Sequence, residues 1–241
     1  MPRYGGFPRY ESVSEKMAKV QKGIAKLKKK NPNIAPIVLN GTKLANSWWA
    51  KAWNKNLESY SDYSNRIGRG RTYVRHGAVV DLKIDSGIVT ALVQGTKAKP
   101  YEIQIAIKPL DKKTWDKLTK QCEGRINSLQ QLTEGKFPKE LQELFTKQES
   151  GLFPSPKDIS FNCTCPDWAY MCKHVAATLY GIGARFDEDP GLFFLLRNVD
   201  VDNLISKAVT QKTQSLIKKS SKKSKRVIED TDISSIFGID V

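Results

Sequence analysis

The sequence predicts an α+β fold: a small antiparallel β-meander packed with helices, then a compact ββα-like unit, C-terminal helices and a disordered basic tail. Three observations carry this. Apolar residues alternate with polar ones between positions 80 and 107, interrupted only by Ser86-Gly87 and by the loop Gly95 to Pro100. Apolar residues recur at helical spacing on both sides of that stretch. Three of the four cysteines and one of the two histidines crowd into positions 163–174, where an extended segment gives way to a helical pattern.

Length and charge set the frame. A chain of 241 residues can hold one moderate core or two small ones. No apolar run approaches a membrane span, and the N-terminus MPRYGGFPRYESVSEK lacks an apolar h-region, so the expectation is a cytoplasmic protein without a secretory signal. The composition divides the chain into an N-terminal basic helix or arm (1–40) and an α+β domain with the antiparallel sheet (41–150). The cysteine-rich unit with its flanking helices (151–210) and a disordered Lys-rich tether with an acidic-hydrophobic end (211–241) follow. The formal net charge is +15, and it is segregated. Two acid-free blocks, Lys16 to Lys30 and Lys212 to Arg226, hold 14 of the 40 basic residues and leave 26 against 25 acids elsewhere. Such arms add salt-sensitive affinity for a polyanion, or serve only as solvated, solubilising segments.

Taken in order, a helix begins at Ser12, which with Glu15 forms a capping box, and Val13, Met17, Val20, Ile24 and Leu27 make one apolar stripe up to Asn31-Pro32. It is either a basic helix on a partner or an ordinary amphipathic helix docked on the core. A second helix is predicted over Leu44 to Tyr60, with Trp49, Trp53, Leu57 and Tyr60 on one face. That spacing favours core over a base-stacking platform. From Arg66 to Arg75 an extended segment is expected, placing Arg69, Arg71, Tyr73 and Arg75 on one face. These guanidiniums suit phosphate contacts. The alternatives are a solvated outer strand face or pairing with carboxylates of the body.

Val80, Leu82 and Ile84, then Ile88 to Gln94, then Tyr101, Ile103, Ile105 and Ile107 read as a meander, with Arg71 to His76 as its fourth strand. His76 falls in the turn before Gly77, away from the cysteines, and is not expected to be a ligand. Asp111 to Leu132 reads as one long helix through Trp115, Leu118, Cys122, Ile126 and Leu129. Gly135 breaks the pattern, and Phe137-Pro138 opens a shorter helix with Leu141, Leu144 and Phe145 inward. Gly151 to Pro156 reads as a linker to a strand over Ile159 to Cys163. A helix over Asp187 to Asn198 carries Leu192, Phe193, Leu195 and Leu196, and another starts near Asp202. The chain ends in VIEDTDISSIFGIDV, where Ile233, Ile236, Phe237 and Ile239 form a candidate docking motif for a partner, or one that folds back on the body.

The chemistry concentrates in FNCTCPDWAYMCKHVAATLY. Cys163-x-Cys165-x6-Cys172-x-His174 is a Cys3His set within twelve residues, a usual complement for a structural zinc. Alternate residues of a strand face one side, so Cys163 and Cys165 can share an ion. Cys172 and His174 can join them only if Cys172 caps a helix and His174 lies in its first turn, because i and i+2 diverge mid-helix. Four ligands close a tetrahedron and leave no position for substrate. A disulfide, inert buried thiols, a Cys–His nucleophile pair and an iron cluster are the competing readings.

Cys-x-Cys followed by CPDW, then CKHVAATLYGIG around Cys-x-His, resembles the SWIM zinc finger. SWWAKAWNKNLE, GRGRTYVRHGAV, VQGTKAKPYEIQI, DEDPGLFFLLRN and the terminal IFGID extend the likeness to prokaryotic SWIM-finger proteins over most of residues 40–200. The resemblance implies a zinc-dependent DNA- or protein-binding module, of a kind often linked to helicase-like remodelling ATPases. With it, the expectation is one structural Zn2+ on Cys163, Cys165, Cys172 and His174. Nucleic-acid contacts are expected from Arg66, Arg69, Arg71, Arg75 and Lys173, and partner contacts from Ile233, Ile236, Phe237 and Ile239. No enzyme is expected, since no Gly-rich phosphate loop or Ser/His/Asp set is present, and neither a small-molecule substrate nor a membrane is expected as a partner. An adaptor for a helicase-like ATPase with no direct nucleic-acid contact is the alternative.

Overall fold

The computed structural model describes residues 12–39, 41–59, 64–122, 125–126, 128–167, 169–202 and six further positions between 205 and 217. Helix α1 (Val13–Lys30) starts as the capping box requires. Ser12 Oγ accepts from the Glu15 N–H (3.2 Å), and the Glu15 carboxylate accepts from the Ser12 N–H (2.7 Å). Its apolar stripe is only half used: Val20 is buried and Ile24 and Leu27 are packed against the core, while Val13 and Met17 are exposed.

Helix α2 (Trp48–Ser59) begins four residues later than the apolar pattern suggests. The Asp187 carboxylate, remote in sequence, accepts from the N–H groups of Asn46 (2.8 Å) and Ser47 (2.7 Å) and holds the approach to the helix in a turn. Trp49 and Trp53 are fully buried, with indole N–H groups donating to the carbonyls of Leu132 (2.9 Å) and Leu179 (2.8 Å). They are core, as their spacing predicted; Tyr60 lies outside the described residues.

The predicted strand at Arg71 to His76 is a correction. Ser64–Arg75 is helix α3, so Arg69, Arg71, Tyr73 and Arg75 do not share a face. The apolar residues of the run explain why: Ile67 and Val74 are buried, with Gly70 between them, so the periodicity that pays is helical.

The meander forms as read. Strands β1 (Val79–Asp85), β2 (Ile88–Val93) and β3 (Tyr101–Ile107) pair antiparallel in consecutive order. The fourth strand is β4 (Ile159–Cys163), which pairs antiparallel with β3 in the register Ile103 opposite Cys163. The cysteine-bearing strand therefore belongs to the same sheet. The outer edge of β1 is covered by residues 35–37, through Leu82 N–H to the Ala35 carbonyl (2.9 Å) and Ile37 N–H to the Val79 carbonyl (3.0 Å). One apolar cluster runs across the 150/151 boundary.

The long helix expected over Asp111 to Leu132 is two pieces, α4 (Lys112–Cys122) and α5 (Leu129–Thr133). Ser128 restarts the chain by accepting from the Gln131 N–H (3.1 Å) as an N-cap. Helix α6 (Lys139–Thr146) buries Leu141 and Phe145. Residues 151–155 are buried instead of forming a solvated linker, because Leu152 and Phe153 join the aromatic cluster around Trp49. A 3-10 turn (Pro156–Asp158) leads into β4.

Helix α7 (Lys173–Glu188) runs through the middle of the molecule, buried on every side from His174 to Ala184. A helix apolar all round is what such a position needs, and its small residues let neighbours close in. The sheet, α2, α3 and α8 (Gly191–Arg197) pack around it. Helix α8 starts later than Asp187 and turns Leu195 outward, while Phe193, Phe194 and Leu196 go in. Val201 and Asp202 are helical; most of the following segment, including Ile233, Ile236, Phe237 and Ile239, lies outside the described residues. No helix among those described is long and apolar enough to cross a membrane.

Candidate metal centre

The end of β4 and the start of α7 bring four side chains to one point. Thr164 prolongs the pairing to β3, donating its N–H to the Glu102 carbonyl (3.1 Å) and accepting from the Glu102 N–H at Oγ1 (3.0 Å). Cys163 and Cys165 consequently stay in strand alternation on the side that faces α7. Cys172 is the N-cap of α7: its Sγ accepts from the Val175 N–H (3.5 Å). His174 follows in the first turn, and the divergence expected mid-helix does not arise.

The ligand atoms of Cys163, Cys165, Cys172 and His174 all lie within 4.8 Å of one another. His174 presents Nδ1, 3.9 Å from Cys172 Sγ and 4.0 Å from Cys163 Sγ. A tetrahedron with metal–sulfur bonds of about 2.3 Å and metal–nitrogen bonds of about 2.0 Å has edges of roughly 3.5–3.8 Å. The two Nδ1–Sγ distances are a few tenths of an ångström longer than that, the whole group lies within 4.8 Å, and its donor set is one that metals of the zinc type use. The residues fit one ion.

The thiols respond to one another as such a set should. The Cys163 thiol, donating to Cys172, pushes the Cys172 thiol down, and the His174 side chain and the Val175 N–H add to this against burial. Cys163 is pushed up by that same interaction and by burial, and Cys165 is raised chiefly by burial. Cys172 caps the N-terminus of α7, where backbone N–H groups favour a thiolate. Cys122 is different: burial holds its thiol up at about 12, and it is an inert core residue.

His174 is gripped from both sides. Its ring lies 4.4 Å from the Tyr101 ring and 5.4 Å, edge-on, from the Tyr73 ring. Its Nε2 is buried without a hydrogen-bond partner and faces Gly95, where a Cβ would come within 3.3 Å of that nitrogen and 2.5 Å of Tyr101. Gly95 is therefore required by closeness of approach, a role that its place in a loop motif did not reveal.

The candidate cationic residues separate into two kinds. Arg66 pairs with Asp167 (3.2 Å), whose carboxylate also accepts from the Ala169 N–H (3.2 Å) and so fixes the turn between the two ligand pairs. Arg71 donates Nε to the Tyr180 hydroxyl (2.8 Å) and pairs with Glu58, which also accepts from Tyr180 (2.7 Å). Arg69 and Arg75 are exposed. Lys173, between two ligands, holds its ammonium 6.0 Å above the Tyr73 ring. His76 lies in the turn before Gly77, on α3's side of the molecule and outside the Cys3His group. Helix α3 reaches the centre through Gly70, where a Cβ would come within 2.6 Å of the Ala176 Cβ.

No model of a known protein family matches the chain, and no solved structure matches it. A Mycobacterium tuberculosis (strain ATCC 25618 / H37Rv) protein described as "Uncharacterized protein Rv2102" is 36% identical over 164 residues. The match covers 68% of this chain and 59% of the mycobacterial protein, so the chain spans less than two thirds of that curated relative's length.

Proposed function

We propose that the chain is a zinc-binding, non-enzymatic module of the SWIM type that binds nucleic acid, DNA in the first instance, and recruits a partner in DNA transactions. The observation that carries this reading is the closed Cys3His cluster with cations at its surface. Cys163, Cys165, Cys172 and His174 supply four ligands, a complete tetrahedral set that leaves no position for water or substrate. Such an ion contributes to folding and holds β4, the intervening turn and α7 in register. Beside it, Lys173 and the exposed Arg69 flank Tyr73, whose phenol is raised by burial against the opposing pull of Arg69. Cations around an aromatic ring suit phosphates and stacked bases. The lysines of α1 lie near the same surface, and the acid-free C-terminal block would add salt-sensitive affinity for a polyanion.

A salt titration of binding to labelled single- and double-stranded DNA and RNA tests this. The logarithm of the affinity should fall linearly with the logarithm of salt concentration, as counterion release requires. Absence of binding to all of them at low ionic strength would remove the nucleic-acid half.

The second reading is a protein-interaction adaptor for a helicase-like ATPase. It is favoured by the capture of Arg66 and Arg71 in contacts with Asp167 and Glu58, which takes two of the candidate cations out of play. Affinity capture with and without residues 227–241 decides it: a partner lost on removing Ile233, Ile236, Phe237 and Ile239 supports the adaptor, and an unchanged partner set counts against it.

A further inference from the structure

A cavity of about 200 Å³ opens between α1, α3 and the start of the β2–β3 loop. Its buried lining is Val20, Ala78 and the polar Gln94, with the half-buried Tyr73 as one wall, while Lys16 and Thr72 are exposed and Lys19 and His76 half-buried at the rim. Lys19 donates to the Thr96 carbonyl (2.8 Å), which ties α1 to the loop and fixes one side of the mouth. Thr72 and Arg75 stand on one face of α3 by helical spacing, and His76, in the turn that follows, donates its N–H to the Thr72 carbonyl (3.1 Å), so the exposed Arg75 lies beside the mouth.

The chemistry of this cavity is specific in three respects. It is smaller than the roughly 300–1,000 Å³ of sites that enclose a whole drug-sized ligand, and it suits a single ring system. An aromatic wall favours a flat π-face, and the Gln94 amide with the hydroxyl and imidazole groups at the rim can meet the polar edge of a base. The cations stand at the mouth and not at the floor, where they can meet charge that stays outside. Building on the nucleic-acid reading above, we infer that this cavity receives one unstacked nucleobase of a single strand, with the flanking phosphates held by Lys16, Lys19 and Arg75.

The cavity shares its wall with the metal centre. Tyr73 and Gly95 line the cavity; the Tyr73 ring also contacts His174, and Gly95 lies where an added Cβ would come within 3.3 Å of the unpartnered Nε2. The clamp that orients a metal ligand is thus the surface against which the base would stack. This gives the Cys3His centre a direct part in shaping the binding surface.

The test compares full-length protein binding to four labelled probes at one salt concentration: a single strand, the same sequence as duplex, an abasic strand of equal length, and the single strand in competition with free adenosine monophosphate. The intact single strand should bind roughly 5- to 100-fold more tightly than the abasic strand, the range that stacking of one base confers. The duplex should lose the same advantage, and micromolar adenosine monophosphate should not displace the strand. Thr72→Trp, at an exposed helix position, should fill the mouth, abolish the preference for bases and leave abasic binding unchanged. Equal binding of intact and abasic strands, or a preference that survives Thr72→Trp, would overturn the inference while leaving the nucleic-acid reading intact. Displacement by micromolar adenosine monophosphate would assign the cavity to a free nucleotide and overturn the strand assignment. If no probe binds, both readings fall together.

Discussion

Residues 163–174 and residues 64–75 are of equal length and touch through Arg66 with Asp167 and Tyr73 with His174, yet they deploy their polar groups in opposite ways. The first focuses four donor atoms on a point, using a strand end and a helix N-cap, and its polar groups face inward. The second distributes four arginines around a cylinder. Two are taken up by carboxylates of neighbouring elements and two are left on the outside. The difference teaches that an arginine of α3 either pairs with a carboxylate of a neighbouring segment or is left at the surface, and that the face of the helix on which it falls decides which.

The largest way to break the comparison is at the centre itself. Cys172→Ala removes a ligand and the N-cap of α7 together. A structural zinc contributes on the order of 10–16 kcal/mol of apparent binding energy, comparable with the whole stability of a domain at about 5–15 kcal/mol. The variant should lose its metal and its cooperative thermal transition, with near-ultraviolet circular dichroism collapsing. A strong chelator should do the same to the parent protein.

Next in size is the contact of α3 with α7, just beyond the ligands. In Gly70→Leu the new Cβ would fall 2.6 Å from the Ala176 Cβ and 2.8 Å from the Ala176 backbone, so a helix must move. Overpacking of this kind costs about 1–3 kcal/mol, measurable as a lowered denaturation midpoint with zinc content retained.

The arginines then sharpen the contrast. Arg71→Ala removes contacts to Glu58 and Tyr180 and should cost about 1 kcal/mol, discounted for the partial exposure of the pair. Arg69→Ala should leave stability within about 0.5 kcal/mol. It should instead reduce the slope of binding against salt by about one phosphate contact. Opposite outcomes would invert the assignment of the two residues.

The smallest effect concerns pH. Burial, and then the charge of Lys16, hold the His76 imidazole below its ordinary value of 6.5. Between the folded and unfolded values the unfolded chain binds more protons, so stability rises with pH. The contribution of His76 is full above about 6.5 and fades as pH falls through the lower folded value. His76→Gln should flatten that part of the stability profile, read by denaturant titration at several pH values.

How legible these two regions are in the sequence follows from the range of the forces that shape them. The Cys3His geometry is set within twelve residues by strand alternation, Pro166 and a capping position, and spacing alone locates it. The meander is equally local, because Val80 to Ile107 alternates and its turns are marked by Gly87 and the loop from Gly95. The run Arg66 to Arg75 misleads because alternating arginines imitate a strand, while the deciding contacts come from Ala176, Glu58 and Asp167, remote in the chain. The fourth strand is misplaced for the same reason: β4 reaches β3 across more than fifty residues of helix and loop. The gap between α4 and α5 turns on a single capping serine, Ser128, set against an otherwise continuous apolar pattern. Gly95 acquires its meaning only when His174 and Tyr101 arrive beside it.

X-ray absorption at the metal edge of the protein as purified tests the central claim most directly. One zinc per chain with three sulfurs at about 2.3 Å and one nitrogen at about 2.0–2.1 Å is the predicted first coordination sphere. A spectrum with fewer sulfurs and an added light-atom ligand, or a preparation with no stoichiometric metal, would contradict a closed centre built from Cys163, Cys165, Cys172 and His174.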